Sequence, residues 1–168
     1  MIITLFFKLV SRIQFLATST NQHGVHSPFV FDFVTKGLYQ KSKELALKND
    51  FLAVQNLPKK EEKILSNICN YFKINQLYTN SKELENSLDN NYKLLYFNTI
   101  KNFMFDEAIP NSSQIFLVIH GIHSNSKSFQ KWKSICKNNQ AIVTIDVFYF
   151  GLVFFRRKQV KEHFKIRI

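Results

Sequence analysis

Two copies of one pentapeptide contain four of the chain's five histidines: His23-Gly-Val-His-Ser27 and His120-Gly-Ile-His-Ser124. If the two segments met in the fold, their imidazoles could together ligate one metal ion. Zinc sites usually also include cysteine or carboxylate ligands, and no such partner is apparent for either copy. Two loops that each need a glycine turn and a polar cap explain the repeat more simply, so we expect no metal site.

The second copy also follows an apolar strand, Phe116–Ile119, as does the His-Gly segment of the oxyanion hole in α/β-hydrolases. That chemistry requires a nucleophile elbow, G-x-S-x-G, followed by an acid and a histidine. The only glycine beyond the segment is Gly151, and Tyr149 stands two positions before it. The elbow cannot be built, which excludes this class of enzyme.

Glycine is scarce in the 168 residues, with only Gly24, Gly37, Gly121 and Gly151 present. No two of these are closer than thirteen positions, so the compact glycine-rich loops that cradle phosphates are excluded. The two cysteines form no C-x-x-C or disulfide-dense pattern, which predicts free thiols and a cytoplasmic location.

The chain is basic, with a formal net charge of +11. Six cations fall close together near its end: Arg156, Arg157, Lys158, Lys161, Lys165 and Arg167. Such a cluster could bind nucleic acid or an anionic membrane, but no nucleic-acid motif accompanies it, and a solvated basic edge is the simpler interpretation.

The first residues have apolar side chains at helical spacing, namely Ile2, Leu5, Phe6, Leu9, Ile13 and Leu16. This spacing predicts an amphipathic helix. We expect the helix to pack on the body of the protein, with a position on a membrane surface as the alternative.

Beyond that helix, a turn leads to a helix that starts at Ser27-Pro28, where the serine hydroxyl is expected to cap it. Apolar periodicity then predicts helices over 41–54, from 59 to 72, over 81–88, over 100–108 and over 126–136. Strands are predicted at 76–79, 92–97, 114–119, 141–148 and 150–155, the last two flanking a tight reversal. The β-α-β-α-β-α-β-β order after residue 75 is typical of an α/β sheet with an antiparallel edge.

Two long blocks resemble a class I SAM-dependent methyltransferase-like family common in Bacteroidota. His23–Thr35 resembles its N-terminal signature, and Val143–Arg167 resembles its C-terminal hairpin and closing segment. The stretches between them are similar to the family's first, fourth and fifth strands. The resemblance implies a reduced Rossmann-like sheet of about five strands, in the order one, four, five, seven, six with the seventh antiparallel.

The departures from the family fall on its cofactor site. Strands two and three, which would carry the acid that holds the SAM ribose, have no counterpart in the sequence. Asn98-Thr99 stands where the family has Asp-Gly, and His120–Ser124 stands where it has Asp-Asp-Ile-His-Trp. If a site persists, the resemblance implies His123 and Asn98 as catalytic candidates and four cofactor-binding candidates: Thr79, Asn80, Asn98 and His120.

We therefore expect an N-terminal helical segment, 1–58, packed on a truncated Rossmann-like core, 59–168, as one structural domain. The leading hypothesis is a methyltransferase-like pseudoenzyme that has lost SAM binding and is either kept as a binding or scaffolding module or simply decaying. The alternatives are a divergent active methyltransferase that uses SAM and a basic peripheral protein that binds anionic membrane or nucleic acid.

Overall fold

The computed structural model describes residues 2–41, 56–85, 91–103, 105, 113–156 and 158–168. The helices are α1 (Ile2–Thr18), α2 (Pro28–Phe33, continued by a π-helical turn, Val34–Leu38), α3 (Lys59–Phe72), α4 (Ser81–Glu85) and α5 (Ser126–Lys137). The strands are β1 (Leu77–Tyr78), β2 (Lys93–Phe97), β3 (Ile115–His120), β4 (Val143–Asp146), β5 (Phe150–Phe154) and β6 (Glu162–Lys165).

The strands form one six-stranded sheet in the order β1-β2-β3-β5-β4-β6. β5 runs antiparallel to both of its neighbours, β3 and β4, and the other pairs are parallel. The fold is thus α/β with a mixed sheet. The order of the first five strands agrees with the order predicted above, and β5 is the strand that was predicted to be antiparallel.

Apolar side chains cover both faces of the sheet. One face packs against α2 and α3 through residues such as Phe33, Ile68 and Phe116. The other packs against α4 and α5 through residues such as Leu84, Leu117 and Trp132. This explains the continuous apolar runs of β2, β3 and β5. When both faces of a strand are covered, neither face meets solvent, so no position on it needs a polar side chain.

Helix α1 forms where the spacing predicted it and packs on the body of the protein as expected, but it does so through the side opposite its apolar stripe. The side chains of that stripe point to solvent: Leu5 is 71% exposed, Phe6 67%, Leu9 60% and Ile13 60%. The opposite side of the helix packs on the protein, where Ser11 and Phe15 are buried. Within the described chain, no helix combines the length and the apolar character needed to cross a bilayer.

The remaining differences concern short elements. No strand was predicted after the hairpin, and Glu162–Lys165 pairs with β4 as the sixth strand. Of the predicted helix over 100–108, the described residues 100–103 and 105 contain a 3-10 turn, Ile100–Asn102, and no regular helix, and residue 104 is not described. Ser27 precedes α2 as predicted but makes no capping hydrogen bond with its side chain. The predicted helical residues 42–54, 86–88 and 106–108 lie outside the described residues.

Candidate functional site at the carboxyl ends of the strands

The carboxyl ends of parallel strands meet at one edge of a sheet, and this is where ligands bind in open α/β folds. All five predicted site residues lie at that edge. Thr79 and Asn80 follow β1, Asn98 follows β2, and His120 and His123 end and follow β3. The first three are exposed, His120 is half-buried and His123 is buried.

His123 lies at the centre of a buried hydrogen-bond network. Its Nε2 lies 2.8 Å from Asp146 Oδ2, at the end of β4, and its Nδ1 lies 2.5 Å from the Ser11 hydroxyl on α1. Because a carboxylate only accepts, Nε2–H donates to Asp146, and Nδ1 then accepts from the Ser11 O–H. The network joins α1 to two strand ends.

Aromatic rings enclose the same imidazole. Phe129 and Phe148 stack on it, with ring centroids 4.5 Å and 4.8 Å away, and Phe15 meets it edge-on at 5.8 Å. Only 4% of His123 is exposed. The predicted catalytic candidate therefore has both nitrogens bonded and both faces covered, which is the environment of a structural histidine.

The network contains a serine, a histidine and an aspartate, the residue types of a hydrolase triad. A nucleophile must reach its substrate, however, and Ser11 and Asp146 are 4% and 0% exposed. No serine chemistry follows from such a closed arrangement. Asp146 could be suspected from sequence because it interrupts an apolar strand, whereas nothing in the spacing of α1 singles out Ser11.

Asp146 also holds the turn between β4 and β5. Its Oδ1 accepts the Phe148 N–H at 2.8 Å, and Phe148 adopts a left-handed backbone conformation with φ 71°. A bulky residue is strained there. The strain is offset by the hydrogen bond to Asp146 and by the stacking of the ring on His123, with the Arg12 guanidinium 4.4 Å from the ring centroid.

A second ionisable pair lies at this edge and is open to solvent. His120 Nε2 is 2.6 Å from Glu61 Oε2, and the two side chains are 26% and 13% exposed. Glu61 comes from the first turn of α3. Burial, together with the negative charge of Glu61, raises the pKa of the nearby Tyr96 phenol. His120 was a candidate from the sequence, whereas Glu61 was not, because the two positions are 59 residues apart.

The two histidine pairs do not form a metal centre. His23 and His26 are exposed around a 3-10 turn, Gln22–Gly24, while His120 and His123 are engaged with Glu61 and Asp146. Among the side chains that the structure describes, no three His, Cys, Asp or Glu residues lie close enough together to hold a metal ion.

The basic tail does not form one surface. Arg156 lies over Phe29, 4.1 Å from the ring centroid, and Lys161 Nζ donates to the carbonyls of Lys137 and Asn138. Lys165 lies at the other end of β6 from Lys161, beside Asp146 at the carboxyl end of β4. Arg157 lies outside the described residues, so the six cations cannot be treated as one patch.

The residues directly after β1 and β2 include neither a glycine nor an acid. The loop after β1 offers Thr79-Asn80-Ser81 without a glycine, and an amide, Asn98, follows β2 where the family has an acid. The acidic side chain of Glu61, from α3, lies next to the end of β3 and is hydrogen-bonded to His120.

Comparisons of this chain with protein-family models, curated proteins and solved structures found no match.

Proposed function

We propose that this chain is a reduced, Rossmann-like member of the class I methyltransferase group that binds no SAM and acts as a binding module. One observation carries the proposal. Helix α1 covers the carboxyl ends of β3 and β4 through the Ser11–His123–Asp146 network, at the edge where an open α/β sheet holds its ligand.

The sheet supports the same proposal. β1 has two residues and is the outermost strand of the described sheet. Only residues 79–92 separate it from β2, and they contain α4, so this stretch has no room for two further strands with their crossover helices. This supports the proposal, because the acid that would hold a ribose on strand two has no counterpart between β1 and β2.

A second candidate function is a divergent active methyltransferase, and the Glu61–His120 pair favours it. A carboxylate on one imidazole nitrogen orients the ring and leaves the other nitrogen to take a proton from an acceptor hydroxyl or amine. The partial exposure of both side chains leaves room for such an acceptor.

Calorimetric titration of the full chain with SAM and with S-adenosylhomocysteine tests the proposal. We expect no saturable heat at micromolar ligand. Saturable micromolar binding would overturn the proposal, and its loss in Glu61→Gln and His120→Asn variants would place the ligand at this pair. A Lys161→Gln variant, altered at the opposite edge, serves as the matched control.

A further inference from the structure

The outer face of α1 is an apolar surface, defined here by Leu5, Phe6, Leu9, Ile13 and Leu16. Leu16 is 38% exposed and the other four are at least 60% exposed. The five side chains recur at helical spacing and so form one continuous stripe. Monomeric soluble proteins rarely leave such a contiguous patch uncovered.

The orientation of the helix is fixed rather than incidental. Ser11 and Phe15 hold the inner side against His123 and Phe148. Phe7 contacts Phe129 of α5, with ring centroids 6.5 Å apart. Rotating α1 to bury the outer stripe would break these contacts, so the stripe remains available to an outside surface.

Cations lie on α1 and next to it. Helix α1 itself contains Lys8 and Arg12 and no acidic residue. Lys133 of α5 lies 5.2 Å from the Phe129 ring centroid, next to Phe7. At the other end of the helix, Lys165 Nζ lies 3.1 Å from the Thr18 hydroxyl. Four cations, Lys8, Arg12, Lys133 and Lys165, thus lie on the helix or against it, and they are called the cationic rim of α1 here.

A basic cavity adjoins this rim. Tyr149 contacts Arg12 of the rim at 5.6 Å and Lys60 of α3 at 5.8 Å, measured to its ring centroid. Lys60 also lines a cavity of about 580 Å³ together with Lys59, Lys63 and Arg167. The described residues that line it include no acidic side chain. Anionic groups are therefore favoured beside the helix as well as along it.

We propose that α1 lies in the plane of an anionic membrane surface, with its apolar stripe in the acyl boundary and its cationic rim at the lipid headgroups. An apolar face with lysine and arginine at its borders is the pattern of an interfacial helix. Each cation near an anionic surface adds about 1 kcal/mol of attraction. A second copy of the chain fits poorly, because pairing would bring two bodies of net charge +11 and two cationic rims together.

Vesicle sedimentation tests this inference. We expect the full chain to bind vesicles of phosphatidylcholine and phosphatidylserine, mixed at roughly two to one, and to bind pure phosphatidylcholine at least about tenfold more weakly. The double variant Phe6→Ser, Leu9→Ser should lose at least about tenfold in partitioning, since two large side chains leave the acyl boundary. Its thermal midpoint should stay at the wild-type value because both side chains are exposed.

Val160→Ser is the matched control. Val160 is an 80% exposed apolar residue before β6, at the other edge of the sheet, and its loss should leave vesicle binding unchanged. Equal binding of the double variant and the wild type would overturn the inference, as would equal binding to neutral and anionic vesicles. A wild-type dimer that the double variant converts to monomer, without vesicle binding by either, would assign the stripe to self-association instead.

The experiment does not depend on the proposed function. Vesicle binding concerns the outer side of α1, whereas the SAM titration concerns the strand ends beneath its inner side. Each can fail while the other succeeds.

Discussion

Replacing Asp146 by alanine tests whether the buried network holds α1 on the sheet. The substitution removes two hydrogen bonds to a carboxylate, from His123 Nε2–H at 2.8 Å and from Phe148 N–H at 2.8 Å. A hydrogen bond to a charged group contributes about 1.5–3 kcal/mol, and the orphaned donors stay buried. We therefore expect Asp146→Ala to lower the free energy of unfolding by about 3–5 kcal/mol. That is a large part of the stability of a domain of this size.

Asp146→Asn separates the hydrogen bonds from the mere volume of the side chain. The amide oxygen can still accept from Phe148 N–H, and the amide NH2 can donate to His123 Nε2 if the imidazole proton moves to Nδ1. The Ser11 hydroxyl tolerates this reversal because it can accept as well as donate. We expect Asp146→Asn to cost about 1–2 kcal/mol, clearly less than alanine.

Urea denaturation followed by far-UV circular dichroism measures both free energies, and limited proteolysis near Thr18 reports on the docking of α1. A loss of less than about 1 kcal/mol in the free energy of unfolding of Asp146→Ala would refute the role of the network in holding α1. An equal loss in Asp146→Asn and Asp146→Ala would also refute it, because the hydrogen bonds of the network could then not reverse their direction. Ser11→Ala added to Asp146→Ala should cost less than the sum of the two changes, since both act on His123.

Three other predictions concern residues outside the hydrogen-bond network. A Cβ on Gly151 would lie 2.5 Å from the buried Trp132 ring, so Gly151→Ala should cost about 1–3 kcal/mol in urea denaturation, and the cost should shrink if Trp132→Phe is introduced as well. Burial raises the pKa of the Cys69 thiol from 9.0 to about 12. Above pH 9 the unfolded chain therefore releases the thiol proton before the folded chain does, and the free energy of unfolding falls as the pH rises. In urea denaturation between pH 9 and 12, the free energy of unfolding of a Cys69→Ala variant should fall less steeply than that of the wild type, by up to about 1.4 kcal/mol per pH unit. Equal pH dependence of the two proteins would contradict the buried thiol. Lys161 donates to the carbonyls of Lys137 and Asn138 at the end of α5, so Lys161→Met should lower the melting midpoint slightly and more at low salt than at high salt.

The elements that the sequence predicted well are those with strong local patterns. β3 and α5 could be located because an apolar run and a helical stripe are each encoded within a dozen residues. β6 was missed because Glu162–Lys165 has a mixed composition and is only half-buried, so its pairing with β4 depends on a distant partner.

The direction of α1 and the two polar pairs could not be predicted for a different reason. Amphipathic spacing shows that a helix has two faces but does not show which one meets the protein. The inner face of α1 is determined by the contacts of Ser11 and Phe15 with His123 and Phe148, which are distant in sequence. Glu61 and His120 likewise meet only through the fold, so a single sequence gives no signal for their contact.

The contacts of α1 also set an order of events during synthesis. Ser11 and His123 are separated by 112 residues, and Thr20 forms an isolated bridge with Ile166 near the far end of the chain. At a typical translation rate, about 7 to 30 s pass between the emergence of Thr20 and that of Ile166. Until His123 and Phe148 have emerged within that interval, the inner side of the nascent helix lacks its docking partners, so both sides of α1 are exposed to solvent at the same time.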